Sequence, residues 1–454
     1  MEQRVTFSGS FMQSFTSIGP MLDIAALFSA IAVYSGPYLG IVMLISFFAA
    51  LTTIYVVWNL SKHFQSNGGY YLFAGKTLGK GVGITTSIIY AGYALLVIPN
   101  ISLFVSFFIL HVFAFNSQTA LVLSYAIPLG FLLILFGIVS QGLGRSIVYT
   151  IAAGIVELLF IVVLDVLFLR NASTFSFPVL PTTMGGAYSV FSGVVFGILA
   201  FAGMESPVYL SEDTRRSGST VPKALIYSYL ATGVLLVISA FSIMAFLGKS
   251  GISAYSSNPF YVNSSIKSSF GAAAYYLFAV LAILSSMNLC VAYSNSLLNE
   301  IKRMVKDGIL SINRLGNHQL LLMFGLSEVV IIVVTNYFLG NFFGFVVIAA
   351  VVSFSYMMIQ LIGGFSLIRL SLRSAKWRTV TIASLSVLML GITIVFSFIA
   401  DSVPGSPTRF SIVVFVAIVV VSILVSYNGS TRARSWYDRV EMMNKLEMKE
   451  SEGR

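Results

Sequence analysis

Two acidic residues lie within three positions of helix-breaking residues inside apolar stretches of the sequence. The first stretch reads Ser-Ile-Gly-Pro-Met at 17–21 and precedes Asp23, and the second reads Ala-Gly-Met at 202–204 and precedes Glu205. A carboxylate in an apolar setting binds an amine or another cation, or carries a proton, because burial disfavours its charged form. We therefore expect a site for binding or proton transfer at these two places.

Metal and disulfide chemistry receive little support from the sequence. The three histidines are scattered over span ends and loops, so they do not predict a metal site. Cys290 is the single cysteine of the chain, which excludes an internal disulfide. The sequence accordingly predicts no metal and no cofactor.

The composition indicates a protein that crosses a membrane many times. Hydrophobic residues make up 57 % of the 454 residues, charged residues make up 9 %, and the mean hydropathy is +0.92. Apolar runs of roughly 20 residues, the length of a helix that crosses a bilayer core, recur throughout the chain. A β-barrel would show short alternating strands instead. The runs predict twelve transmembrane helices, at residues 12–34, 38–60, 83–110, 119–139, 146–169, 188–210, 222–247, 272–298, 319–339, 342–367, 379–400 and 409–427.

The basic residues predict the orientation of these helices. With both termini in the cytoplasm, all but four of the 26 Lys and Arg residues fall on the cytoplasmic side, in agreement with the positive-inside rule. The exceptions are Arg170, Lys249, Lys267 and Arg409. The net charge of +10 therefore indicates a lipid bilayer, and no nucleic acid, as the partner. We expect a multi-pass protein of the cytoplasmic membrane.

The two helix breaks are most informative when they are considered as a pair. Proline lacks the backbone donor and clashes with the preceding turn, so the helices should open just before Pro20 and around Gly203. Open backbone in a membrane survives only where it lines a cavity or is packed inside protein. Broken helices at corresponding positions in two halves of a transporter indicate a substrate site. Half-helix N-termini attract an anion and unwound carbonyls attract a cation, which together suit a zwitterionic amino acid.

Three segments of the chain match the pattern of a known group of permeases. FGILAFAGMESPVYLSEDTRRSGSTVPKAL (196–225) combines a glycine-containing break, Gly-x-Glu, an acidic cluster, basic residues and a proline before the next span. NGGYYLFAGKTLG (67–79) follows the second span, and NEIKRMVKDGIL (299–310) follows the eighth. In these segments the chain resembles the amino acid–polyamine–organocation superfamily, over roughly residues 10–430. The first break differs, since it lacks the Gly-Ser-Gly type of the best-known members.

The resemblance implies an all-α fold of five plus five transmembrane helices in an inverted repeat. Helices 1 and 6 would be broken, and two further helices would follow the repeats. The first repeat would cover about 12–169, the second about 188–367 and the extra helices about 379–427, within one transporter domain at 1–430. A charged cytoplasmic tail would follow at 431–454.

The implied substrate site lies at the two breaks. Carried over by position, Ser17, Ile18 and Gly19 would bind a substrate carboxylate through their backbone amides. The second break would offer carbonyls or cavity wall to the substrate amine and side chain. Its residues are Phe201, Ala202, Gly203 and Met204. The expected substrate is an amino acid or a related amine.

Coupling to an ion is expected to use the buried carboxylates. In the resembled family a glutamate at the place of Glu205 is linked to proton coupling or gating. Asp23 would contact a substrate amine or a cation, and Glu157 in the fifth span would act as a proton relay. Capping of a half-helix is the alternative role of both Glu205 and Asp23. Sodium is the rival coupling ion, because sodium-driven relatives use paired hydroxyls on the eighth helix, where this chain has Ser285 and Ser286.

The sequence favours a secondary active transporter of amino acids that works by alternating access with proton coupling. A sodium-coupled symporter and an amino acid/polyamine exchanger remain as alternatives. A proton-translocating subunit of a respiratory complex needs lysines in mid-membrane, whereas all 26 basic residues map to loops or span ends. A membrane-embedded enzyme needs a His or Cys cluster or a polar catalytic pair, which the sequence lacks. A channel does not need two broken helices with carboxylates.

Overall fold

Apolar helices dominate the structure, as the hydropathy predicts. A computed structural model describes residues 5–175, 181–258, 260–310, 316–401 and 409–432. Within these residues, ten helical stretches are long and apolar enough to cross a membrane. The prediction of an all-α polytopic membrane protein is therefore confirmed.

The first span is broken at its middle. Helix α1 (Phe7–Ile18) ends at Gly19, which adopts a left-handed conformation with φ 72° that terminates a helix without steric cost. Helix α2 (Pro20–Leu22) restarts at the proline, whose missing N–H costs nothing at a first helical position. A π-helical segment, Asp23–Leu27, then leads into α3 (Phe28–Ser35). The break lies where the Gly-Pro pair predicts it, and the π-helical segment is an addition that the sequence did not predict.

Five helices complete the first half of the chain. The glycine-rich segment after the second span forms a short helix of nine residues, α5, and the other four are long. They are α4 (Leu39–His63), α5 (Gly69–Thr77), α6 (Lys80–Phe113), α7 (Ser117–Val139) and α8 (Leu143–Arg170).

The second broken span is also interrupted near its middle. Helix α9 (Met184–Gly197) tightens into a 3₁₀ segment, Ile198–Phe201, and the chain then unwinds. Gly203, with φ 93°, lies in the unwound part, and a second 3₁₀ segment, Ser206–Asp213, continues the span. The predicted break around Gly203 is therefore present.

The second half continues with five longer helices. They are α10 (Ser217–Ser257), α11 (Tyr261–Lys306), α12 (Asn317–Arg373), α13 (Trp377–Asp401) and α14 (Arg409–Arg432). Helix α12 has 57 residues and turns at Gly340, so its contour of about 85 Å suffices for two crossings of the bilayer core. The count of twelve spans and the inverted repeat stay predictions. The predicted tail lies outside the described residues from 433 onward.

The two broken spans meet at one side of the bundle. Val5, just ahead of α1, forms an isolated β-bridge with Thr214, just after the second 3₁₀ segment. The Val5 amide donates to the Asp213 carbonyl at 3.0 Å, and the Arg215 amide donates to the Val5 carbonyl at 3.0 Å. We call this side of the bundle the N-terminal side and the opposite side the distal side. Helix α1 runs inward from it and packs against α8, α10 and α11.

Candidate functional site

The two breaks touch each other in the interior of the bundle. The Ser17 hydroxyl donates to the Gly203 carbonyl at 2.6 Å, and the Ser14 hydroxyl donates to the Met204 carbonyl at 2.7 Å. A Cβ atom on Gly203 would lie 2.4 Å from the Ser17 carbonyl oxygen and 2.5 Å from the Tyr293 hydroxyl. Glycine is therefore required here for both the positive φ and the close approach of the two chains.

A cavity of about 360 Å³ starts at the breaks and extends toward the distal side. Its inner end is lined by Ser17, Ile18 and Ala202 from the two broken spans. Farther out, Tyr34 near the end of α3 stacks on Phe196 of α9 with ring centroids 4.2 Å apart, and both rings line the cavity. The volume lies in the range of small-molecule sites.

The polar side chains of the cavity are a carboxyl group, an amide and several hydroxyls. Asp23 is 7 % exposed, and among the described residues its Oδ2 has no hydrogen-bond partner. The same holds for Oδ1 of Asn100, which is 6 % exposed on α6. Tyr93 and Tyr293 join their hydroxyls at 2.5 Å in the same wall. The described residues that line the cavity include neither Lys, Arg nor His.

Glu157 binds the start of α2 from behind the cavity wall. It is fully buried on α8, and its Oε1 accepts from the Met21 amide at 3.0 Å and from the Ser285 hydroxyl at 2.5 Å. Its Oε2 accepts from the Asn288 side-chain amide at 3.1 Å. The Leu22 amide donates to the Ser285 hydroxyl at 3.2 Å. A carboxylate of the protein itself thus satisfies the positive end of this half-helix.

The two adjacent serines on α11 make different contacts. Ser285 connects Glu157 to the first break, as described above. Ser286 donates to the Ala282 carbonyl at 2.9 Å within its own helix, a bond that is common for serine in membrane helices. The role of both hydroxyls in a sodium site stays a prediction.

Glu205 lies at the second break, on the N-terminal side of the cavity. It is 2 % exposed and directly precedes the second 3₁₀ segment, and its Oε2 has no hydrogen-bond partner among the described residues. Buried tyrosines form a series of ring contacts beside this break: Tyr209 stacks on Tyr90, Tyr90 contacts Tyr93, and Tyr93 contacts both Tyr293 and Tyr356. Tyr93, Tyr293 and Tyr356 also line the cavity.

A polar network ties the helices together on the N-terminal side. Glu212 accepts from the Arg303 guanidinium at 2.7 Å and from the Ser66 hydroxyl at 2.7 Å. Asp213 accepts from the Asn67 side-chain amide at 3.0 Å. These bonds join the second broken span to α11 and to the loop ahead of α5.

The predicted substrate residues divide into two groups. Ser17, Ile18 and Ala202 line the cavity, as does the predicted amine contact Asp23. The others lie at the breaks behind the cavity wall: Gly19, Phe201, Gly203 and Met204. Phe201 is fully buried, and its ring lies 5.3 Å from that of Tyr229. The roles assigned to all of these residues stay predictions.

Sequence reasoning missed the contribution of α6 to the cavity. Tyr93 and Asn100 come from this helix, together with the apolar wall residue Val97. A signal was present, since Asn100 follows Pro99 inside an otherwise apolar stretch. This signal does not mark a site by itself, because α6 contains no charged residue between its ends.

The chain is similar in fold to solved metal-ion transporters. A histidine-to-alanine variant of the Eremococcus coleocola manganese transporter superposes with a TM-score of 0.56 at 13 % identity, over 95 % of each chain. The same transporter in complex with an aromatic bis-isothiourea compound gives 0.55 at 14 % identity, also over 95 % of each chain. At this identity the likeness shows the fold alone. Within the part of the chain that the structure describes, no three His, Cys, Asp or Glu side chains cluster to hold a metal ion.

The sequence itself matches a transporter family. None of the curated proteins matches the chain. The family model for amino acid permeases matches residues 6–424, which confirms the superfamily resemblance and indicates a transporter and not an enzyme. Because this match spans nearly the whole chain, the protein belongs to the amino acid permease family.

Proposed function

We propose that the protein is a secondary active transporter that moves amino acids or related amines across the cytoplasmic membrane by alternating access. The observation that carries the proposal is the cavity of about 360 Å³ that starts where the two broken spans touch. Unwound backbone at mid-membrane is costly unless it lines a cavity or is packed inside protein, and paired breaks of this kind are typical of substrate sites in transporters. Here both breaks contribute to one cavity.

The asymmetry of the bundle supports alternating access. The cavity extends toward the distal side, whereas the N-terminal side is tied by the bridge between Val5 and Thr214 and by the Glu212–Arg303 ion pair. The basic residues favour a cytoplasmic N-terminal side. With that orientation, the cavity would face outward.

Proton coupling is supported by the position of Glu157. Its carboxylate receives one backbone amide of the first break and two side chains of α11. Hydrogen bonds to an ionised carboxylate are stronger than those to a neutral carboxyl group. A proton on Glu157 would therefore loosen α2 from α8 and α11, which links protonation to movement of the broken span.

Sodium coupling is the second candidate, favoured by one specific observation. The Ser285 hydroxyl and the Glu157 carboxylate lie 2.5 Å apart beside the first break, so two oxygen ligands are already adjacent. Hard cations prefer such oxygen ligands.

The test is uptake by purified protein in liposomes. A labelled panel of amino acids and amines is offered with an acid-outside gradient, with the same gradient plus a protonophore, and with an inward sodium gradient at equal pH. Proton coupling predicts accumulation only in the first condition. Accumulation driven by sodium alone would show that sodium and not protons is the coupling ion. No movement of any panel member, even into liposomes preloaded with the unlabelled panel, would refute the transporter proposal.

A further inference from the structure

The cavity wall carries a carboxyl group and, among the described lining residues, no positive counter-charge. Asp23 contributes a carboxyl group and Asn100 a side-chain amide; the two residues are 7 % and 6 % exposed, and Oδ2 of Asp23 and Oδ1 of Asn100 have no hydrogen-bond partner among the described residues. The described lining residues offer no cationic side chain as a counter-charge. A buried carboxylate is stable only with a partner or in its neutral form, so this cavity favours a cationic occupant.

The ends of the half-helices add negative electrostatic potential to the cavity. Ser17 and Ile18 belong to the last turn of α1 and line the cavity, so α1 directs its C-terminal, negative end at it. The α9 span ends likewise, since its 3₁₀ continuation closes with the Ala202 amide donating to the Leu199 carbonyl at 3.0 Å, and both residues line the cavity. Two helix C-termini next to one cavity stabilise a cation there.

The opposite end of the first break is already occupied. After the proline, the first two amides of α2 are those of Met21 and Leu22, and they donate to Glu157 and to Ser285. The next amide, of Asp23, donates to the Gly19 carbonyl at 2.9 Å. All three amides are therefore satisfied within the protein. A substrate carboxylate would have to displace Glu157 and remain beside its negative charge, which is unfavourable.

We propose that the substrate is an organic amine with an apolar body and without a free carboxylate, bound through its ammonium group to Asp23. The Asn100 side chain lies in the same wall, and its amide oxygen can turn to accept a second hydrogen bond from the ammonium group. The tyrosine rings of the wall, Tyr93 and Tyr293 among them, supply faces that attract a cation. This inference rests on the proposed transport function and narrows its substrate class.

Three compounds that share one side chain test the proposal with the unmodified protein. Leucine carries both charged groups, leucine methyl ester lacks the free carboxylate, and isopentylamine lacks the carboxyl group altogether. Each is titrated into the purified protein while the apparent Tm is recorded, since a ligand of the folded state raises it. Isopentylamine and the ester should half-saturate the shift at concentrations at least about tenfold below leucine.

Two outcomes would overturn the proposal and are distinguishable. If leucine binds as well as or better than isopentylamine, the amine class is wrong while the transport function stands. If none of the three, nor phenethylamine and phenylalanine as a second pair, shifts the Tm or enters liposomes, both the amine class and the transport function fail.

Variants separate the two parts of the argument. Asp23→Asn should weaken isopentylamine binding by about tenfold or more, whereas Asp165→Asn, a buried carboxyl on α8 that bonds Ser239, should not. If Asp23→Asn does not fold, Asn100→Leu tests the same end of the cavity. Glu157→Ala frees the amides of α2 and should narrow the preference for isopentylamine over leucine. An unchanged preference in Glu157→Ala would show that Glu157 does not exclude the carboxylate.

Discussion

The carboxylate of Glu157 and the backbone amide of Met21 form a hydrogen bond of 3.0 Å in the interior of the bundle. The two residues lie 136 positions apart, one on α8 and one at the start of the second half of a broken span. Oxygen Oε1 of the same carboxylate also accepts from Ser285 on α11. A single proton on Glu157 would thus act on three elements at once.

Replacing Glu157 by Gln should abolish the dependence of transport on a proton gradient while the fold is retained. The glutamine carbonyl can still accept from Met21 and Ser285. Its amide group would face Asn288, whose own Oδ1 has no partner among the described residues and can turn to accept. Uptake into liposomes at several external pH values measures the effect. We expect a flat pH profile in Glu157→Gln.

The matched control for this variant is Asp165→Asn on the same helix, about two turns away. Asp165 accepts from Ser239 and contacts neither break in the described hydrogen bonds. Asp23 and Tyr149 interact electrostatically with Glu157, so the profile is also recorded in Tyr149→Phe. A wild-type pH profile in Glu157→Gln would exclude this carboxylate as the coupling group.

Replacing Glu205 by Gln should leave folding largely intact and change the pH dependence of transport. Glutamine has nearly the same shape, and Oε2 of Glu205 has no partner in the described structure that the substitution would remove. The measurement is the same pH series, with elution volume in detergent as the folding check. If the profile keeps its wild-type midpoint and slope, Glu205 is a structural residue.

Replacing Gly203 by Ala should lower stability and transport together. The positive φ of 93° alone costs an alanine about 1–2 kcal/mol, and the added Cβ meets the Ser17 carbonyl at 2.4 Å. Gly137→Ala on α7 is the control, because nothing lies within 4 Å of its Cβ and alanine is the better helix former. Apparent Tm in detergent reports the difference. Equal Tm values for the two variants would contradict the close approach of the breaks.

Replacing Arg303 by Gln should open the N-terminal side. The Arg303 guanidinium donates to Glu212 at 2.7 Å and to Asp307 at 3.0 Å. Burial raises the pKa of Asp307, and the positive charge of Arg303 opposes that rise. Lys306 lies 3.7 Å from Glu212 and is 68 % exposed, so Lys306→Gln is a matched control with a small expected effect. The reporter is a cysteine placed at Ser10, which is buried, in a background with Cys290→Ala.

Labelling of that cysteine by a maleimide should be faster in Arg303→Gln than in either the parent or Lys306→Gln. The rate rises because loss of the ion pair favours the state in which this side is open. Equal labelling rates in all three proteins would show that the ion pair does not hold the N-terminal side closed.

The spans and the breaks were predictable because their causes are local. Hydropathy identifies a membrane helix over about 20 residues, and Gly19 followed by Pro20 is sufficient to end one helix and start another. The candidate carboxylates were predictable for the same reason, because a charged residue inside an apolar run is visible in the sequence alone.

The partners of these groups were not predictable. The bond between Glu157 and Met21, the contact of Ser285 and the ring contacts among the buried tyrosines all depend on which helices become neighbours. One sequence without aligned homologues carries no information on such contacts. The π-helical segment at Asp23–Leu27 was not predictable either, because neither Gly nor Pro marks it in the sequence.

The central claim is that substrate and protons move together through the site between the two breaks. Its most direct measurement uses liposomes that contain the protein and a trapped pH-sensitive dye, to which the panel of amines and amino acids is added outside. The account predicts that the lumen acidifies only when a transported substrate is present, and that Glu157→Gln abolishes the acidification while substrate still equilibrates. Substrate accumulation without acidification in the wild-type protein would contradict it.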